Sequence, residues 1–199
     1  MFNKVKNWIS DNPDLSFAIL LSICVYAYFG LTNELFPTHR TGFAIMERFA
    51  VLGLVGLALT LCIIAGEIDL SIGSNAALAA VITVRFTDSL GAPSALLIAL
   101  LVSTSIGAIQ GYFIAYLRVR AIVLTVGTLM LLRGVALFAA EEKTVMLTDF
   151  RVPDFISTKM LWYFSPASLL VILMFIIVGL FMGYTRFGRE IYAIGGARK

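Results

Sequence analysis

The chain has 199 residues, of which 60% are hydrophobic and 14% charged, with a mean hydropathy of +0.95. A soluble domain carries about one-quarter charged residues, so this composition excludes an ordinary water-soluble enzyme and marks a membrane protein. The formal net charge of +3 is scattered, with no Lys/Arg block suited to nucleic acid.

The unit of organisation is the membrane span, about 20 apolar residues for roughly 30 Å of hydrocarbon. Six apolar segments take this role in chain order: 15–31, 49–66, 72–86, 92–116, 121–140 and 166–184. Lys4 and Lys6 precede the first, as in a signal peptide. Asp11, Pro13 and Asp14 intervene, however, and no clear Ala-x-Ala site follows, which predicts an uncleaved first span. Segment 72–86 is the weak one, falling short of the hydrocarbon thickness at about 1.5 Å per residue. The fourth is long enough to tilt. The expected fold is all-α: one multi-pass transmembrane helical bundle of about six spans over 1–199, with an irregular polar break between the second and third.

Orientation follows from the cations, because short basic loops prefer the cytoplasm. Lys4 and Lys6 lie before the first span, Arg118 and Arg120 between the fourth and fifth, and Arg186, Arg189, Arg198 and Lys199 after the sixth. These clusters share one side only if an even number of crossings separates each pair. Region 49–86 must then cross twice or enter and leave on the same face; two crossings are the preferred reading, and both termini are then cytoplasmic. Residues 32–48 and 141–164 are then external. Cys24 and Cys62 lie in apolar runs and read as small buried hydrophobes. His39 is the sole histidine, so no metal site is expected.

Three constellations stand out. Between the second and third segments, Glu67, Asp69, Ser71, Ser74 and Asn75 sit among Gly66 and Gly73. Glycine permits unwound backbone, and Ser71, Ser74 or Asn75 can cap the helix that follows. Two readings stand: a cytoplasmic turn with a capped helix start, or part of a solute pathway, since polar backbone at membrane depth must be buried or line a wet cavity. Arg133 is alone inside the fifth span and needs a partner or water; Asp69 and Glu67 are the candidates, the alternatives being a structural ion pair or a snorkelled side chain. In the fourth span Ser103, Gly107 and Gly111 recur at spacing four, the pattern of close helix packing, with Gln110 as a polar group beside that face. No Walker-type phosphate loop and no Ser/His/Asp set occurs, so the chain is read as a transport subunit, not an enzyme.

Three stretches together resemble the permease subunits of bacterial ABC importers for ribose, related monosaccharides and autoinducer-2. Gly66-Glu-Ile-Asp-Leu-Ser-Ile-Gly-Ser74 is similar to that family's Gly-Gly-Ile-Asp-Leu-Ser-Val-Gly-Ser. Leu117-Arg-Val119, Thr125-x-Gly-Thr128 and Leu132-Arg-Gly134 resemble its central block, and Thr185-Arg-Phe-Gly-Arg-x3-Tyr-Ala-Ile-Gly-Gly196 its cytoplasmic signature. The resemblance implies a subunit of the bacterial inner membrane that pairs with a second permease copy and sits in the lipid bilayer. It also implies an extracytoplasmic solute-binding protein outside and an ABC ATPase subunit inside. ATP would be bound on that partner, and this chain would hold no cofactor. Glu67, Asp69, Ser71, Ser74, Asn75, Gln110 and Arg133 are then candidates for the substrate pathway. Thr185, Arg186, Phe187, Gly188, Arg189, Tyr192, Gly195 and Gly196 form the lead-in to the ATPase-coupling loop.

Two departures bear on this. Glu67 replaces the family's second glycine. The family pattern also continues beyond this point into a coupling helix and further spans, whereas Lys199 is the last residue here. The chain is therefore expected to be the N-terminal portion of a permease that moves a ribose-like monosaccharide. The other readings are a non-transporting truncated remnant or assembly module, and a branched-chain amino acid permease of the same fold.

Overall fold

The computed structural model describes residues 12–141, 151–160 and 162–197. Among them are eight helices and no strand: α1 (Pro13–Thr32), α2 (His39–Ile64), α3 (Ile72–Leu90), α4 (Ala92–Ala115), α5 (Ala121–Ala139), α6 (Arg151–Ser157), α7 (Pro166–Tyr184) and α8 (Arg186–Gly196). Five of these, α1, α2, α4, α5 and α7, are long and apolar enough to cross a membrane.

α1 is apolar on every side and buries none of its residues. A helix of that kind belongs in lipid or against another helix. It is tied back by Phe36, whose ring lies 5.2 Å from Tyr26 and 5.5 Å from Phe29. Cys24, expected to be buried, is exposed on this helix.

α2 begins at His39, ten residues before the apolar run that announces it. Thr38 is the reason. Its hydroxyl accepts from the Thr41 amide at 3.4 Å, and this cap starts the helix in polar sequence. The expected external loop 32–48 therefore shrinks to a turn at 33–38, and Arg40 and Arg48 lie on a helix.

α3 is also longer than its apolar stretch. It runs 19 residues, about 28 Å, and continues through Arg85 and Asp88. Hydropathy hid its true end, because Arg85, Asp88 and Ser89 end the apolar run while the helix continues to its C-cap at Gly91. α3 packs most extensively against α4 and α5. Leu78, Leu132 and Ala136 are buried together there, with Val81, Ile82 and Ile106 packed around them. On α4, Ala95 and Ala99 are the buried small residues at spacing four. Gly107 and Gly111, expected to line that seam, are exposed with nothing within 4 Å of a notional Cβ.

α2 packs on α7, with Phe43, Ala50 and Gly53 buried from one side and Val171 from the other. A Cβ on Gly53 would stand 3.0 Å from Val171. Ser165 starts α7 in a reciprocal capping box: its hydroxyl accepts from the Ser168 amide at 3.3 Å, and the Ser168 hydroxyl accepts from the Ser165 amide at 3.0 Å.

The two ends of the bundle are distinct. One gathers Gly66–Ile68, Arg118–Val123 and α8. The other holds an Arg85–Glu141 ion pair at 2.6 Å and the His39 ring stacked 4.3 Å from that of Tyr163. Lys159 also lies there, 5.1 Å over the ring of Phe43. The expected external segment 141–164 contains α6, Trp162 and Tyr163; residues 142–150 and 161 lie outside the described residues.

Candidate functional site

The polar break starts from a glycine that its geometry requires. Gly66 has φ +80°, a left-handed conformation that glycine adopts freely. The Gly66 amide donates to the Ile63 carbonyl and the Glu67 amide to the Cys62 carbonyl, both at 3.0 Å. This is the Schellman arrangement, which satisfies the last carbonyls of α2 and turns the chain sharply into the break.

Asp69, Ser71 and Gln110 then close a network. The Asp69 carboxylate accepts from both the amide and the hydroxyl of Ser71, each at 2.7 Å. The Gln110 side-chain amide, arriving from α4, donates to the same hydroxyl at 2.9 Å. From α5 the Thr125 hydroxyl reaches the Ile68 carbonyl at 3.5 Å and the Ile122 carbonyl at 3.4 Å. Ser71, Gln110 and Thr125 are all buried. Three helices thus meet at one polar centre whose hydroxyl both donates and accepts.

The capping expectation is corrected here. Ser71 stands at the N-cap of α3, yet neither its side chain nor that of Ser74 or Asn75 caps the helix. The Ser71 hydroxyl is taken up by Asp69 and Gln110 instead. Asn75 faces α4, donating to the Ser103 carbonyl at 3.3 Å. Its carbonyl oxygen and the Ser103 hydroxyl are buried there without a partner. Ser74 and Glu67 are half-buried.

Arg133 is not brought to this centre. It lies on the exposed face of α5, about 18 Å along the helix from Ala121, whereas Asp69 and Glu67 stand at the Ala121 end. Among the described residues no ion pair is found for it, and the candidate partners Asp69 and Glu67 are not placed beside it.

The tail forms a helix folded back on the bundle. Thr185 ends α7 and opens α8, its hydroxyl donating to the Phe181 carbonyl at 2.7 Å and accepting from the Gly188 amide at 3.1 Å. A Cβ on Gly188 would meet the Met182 backbone, with the Cα at 2.6 Å. Gly195, on the same face two turns on, lies against the Ile64 carbonyl, the end of α2. Arg186, Phe187, Arg189 and Tyr192 stay exposed, as does Gly196. The docking of α8 beside the break was not anticipated; the glycines at positions 188 and 195, seven apart, are its trace in the sequence.

A polytopic helical membrane protein is what this fold and site define, with a broken, hydrogen-bonded segment between two long helices. The chain belongs to the family described as branched-chain amino acid transport system / permease component, which it matches over residues 42–199. It is similar to the autoinducer 2 import system permease protein LsrC of Yersinia enterocolitica, with 30% identity over 205 residues, 100% of this chain and 56% of that protein. LsrC of Yersinia pestis strain Pestoides F is 31% identical over 189 residues, covering 92% of this chain and 53% of that protein. LsrC of Yersinia pseudotuberculosis serotype O:1b gives the same figures, 31% over 189 residues. The chain spans about half the length of the curated relatives it matches. No solved structure matches it. The family and the span-length apolar helices together define a multi-pass protein of the bacterial inner membrane.

Proposed function

We propose that this chain is membrane-spanning permease machinery of an ATP-driven importer and carries a small polyhydroxylated solute, a ribose-like monosaccharide or a relative of autoinducer 2. The observation that carries the reading is the polar centre at Asp69, Ser71 and Gln110, where three helices share hydrogen bonds beside a break in the backbone. A pathway for a hydroxylated solute needs such fixed donors and acceptors within otherwise apolar walls. The relatives named for autoinducer 2 import support the solute class. In this reading an ABC ATPase subunit, which binds the ATP, docks against α8. A solute-binding protein docks at the opposite end, and a second permease copy completes the pathway. The exposed Gly107 and Gly111 leave room for close helix approach.

Assembled in proteoliposomes with the ATPase and binding protein of the same importer, the permease should accumulate labelled solute only when ATP is supplied. Accumulation without ATP would overturn the reading. We further propose six crossings, with α3 as the sixth span and α8 cytoplasmic. In a background lacking Cys24 and Cys62, a cysteine at Arg189 should react with a membrane-impermeant thiol reagent from the cytoplasm alone, and one at Phe155 from outside alone. Labelling of both from one side would sink this topology.

A further inference from the structure

We propose that the cavity between the α2–α3 break and the α4–α5 turn binds the phosphate of an anionic phospholipid. The cavity measures about 660 Å³ and opens at the end of the bundle that also carries α8. Arg118 and Arg120 both line it, both are exposed, and neither makes an ion pair among the described residues. Glu67 lines it too, so the two guanidiniums and one carboxylate leave the lining at net +1. The remaining walls are largely apolar, with Ile68, Ile114 and Ile122 among them. A free anion gains nothing from such walls, whereas a lipid brings a phosphate for arginine and a glycerol–acyl portion for isoleucine.

Depth agrees with chemistry. Tyr112, in the last turn of α4, and Tyr116, at its C-cap, stack at 5.2 Å just before Arg118, and both are exposed. Exposed tyrosines mark the headgroup level of a bilayer. The Val119 amide donates to the Phe113 carbonyl at 3.2 Å and folds the Arg118 segment back onto α4 at that level. The inference requires the chain to lie in a membrane and does not depend on its transporting anything, so its failure would leave the proposed import untouched.

The test uses the purified chain in nanodiscs of phosphatidylcholine with a minority of phosphatidylglycerol. Retained lipid is counted by native mass spectrometry after dilution into neutral detergent. Phosphatidylglycerol should be retained, and Arg118→Gln/Arg120→Gln should weaken retention about tenfold or more. Arg186→Gln/Arg189→Gln makes the same charge change at the same end but outside the cavity. It should alter retention less than about twofold, the cavity being the local source of the attraction. Equal losses in the two variants would mean diffuse surface charge and would overturn the site, as would no loss in either. Ile114→Trp fills the cavity without touching charge and should also expel the lipid; normal retention in that variant refutes the site even where the arginine variant fails to fold. Inorganic phosphate should not displace the lipid, and displacement would identify a free-anion site and reject the lipid.

Discussion

Gly195→Val should release α8 from the end of α2. A side chain at this position meets the Ile64 carbonyl oxygen directly, and its Cβ would lie 3.0 Å from the Ile64 carbonyl carbon and 3.3 Å from that of Ala65. All three atoms are backbone, so no rotamer relieves the clash and the helix itself must move. Overpacking of this kind costs about 1–3 kcal/mol. The cost falls on one docked helix, so it should appear as local opening more than global unfolding. Amides of 186–196 should exchange roughly tenfold faster or more, since about 1.4 kcal/mol is a factor of ten. Gly196→Val is the control, because nothing lies within 4 Å of a Cβ there. Equal acceleration in both variants would show that helix propensity, and not the α2 contact, was being measured. If the chain works in the importer proposed above, the same substitution should lower ATP-driven uptake more than it lowers assembly.

The second large effect is expected at Ser71. Ser71→Ala removes the hydroxyl that bridges Asp69 and Gln110 and leaves the Gln110 amide buried without its acceptor. An orphaned buried group costs about 1–3 kcal/mol, whereas removal of both partners is nearly neutral. Ser71→Ala should therefore destabilise the chain by that amount, and Gln110→Leu by less, because Ser71 keeps its bond to Asp69. The double variant should be more stable than the sum of the singles predicts. Equilibrium unfolding in detergent micelles measures all three. Additivity within about 0.5 kcal/mol would show that the two side chains do not act together.

Part of this architecture is readable in order along the chain. The apolar runs 92–116, 121–140 and 166–184 are matched by α4, α5 and α7 to within a residue at each end, because Gly91, Pro93, Ser165 and Pro166 punctuate them. The polar break is readable too, as carboxylates and hydroxyls among glycines. What escapes a linear reading is whatever depends on lateral partners. α2 starts early because Thr38 caps it, and α3 runs on through the exposed Arg85 and Asp88 until Gly91 ends it. The Arg85–Glu141 pair joins positions 56 residues apart and leaves no local sign. At Gly107 and Gly111 the small-residue pattern was legible but not its face, since spacing says that helices can approach and not which one does. Gln110 was noticed as polar and Thr125 only as part of a motif; their convergence on the break exists only once α4 and α5 are packed.

The connection between α3 and α4 has a consequence for biogenesis. A single residue, Gly91, separates the two helices. α3 is not among the helices apolar enough to enter a membrane by composition, while α4 is. Charged residues such as Arg85 and Asp88 resist partition from the translocon when a segment is presented alone. On the six-crossing topology proposed above, α3 and α4 would enter lipid as one hairpin, the second arm lending the first its hydrophobicity. The Arg85–Glu141 pair forms only once α5 has followed. On that topology the one-residue turn sets an order of events, holding the more polar helix beside the apolar partner against which it packs.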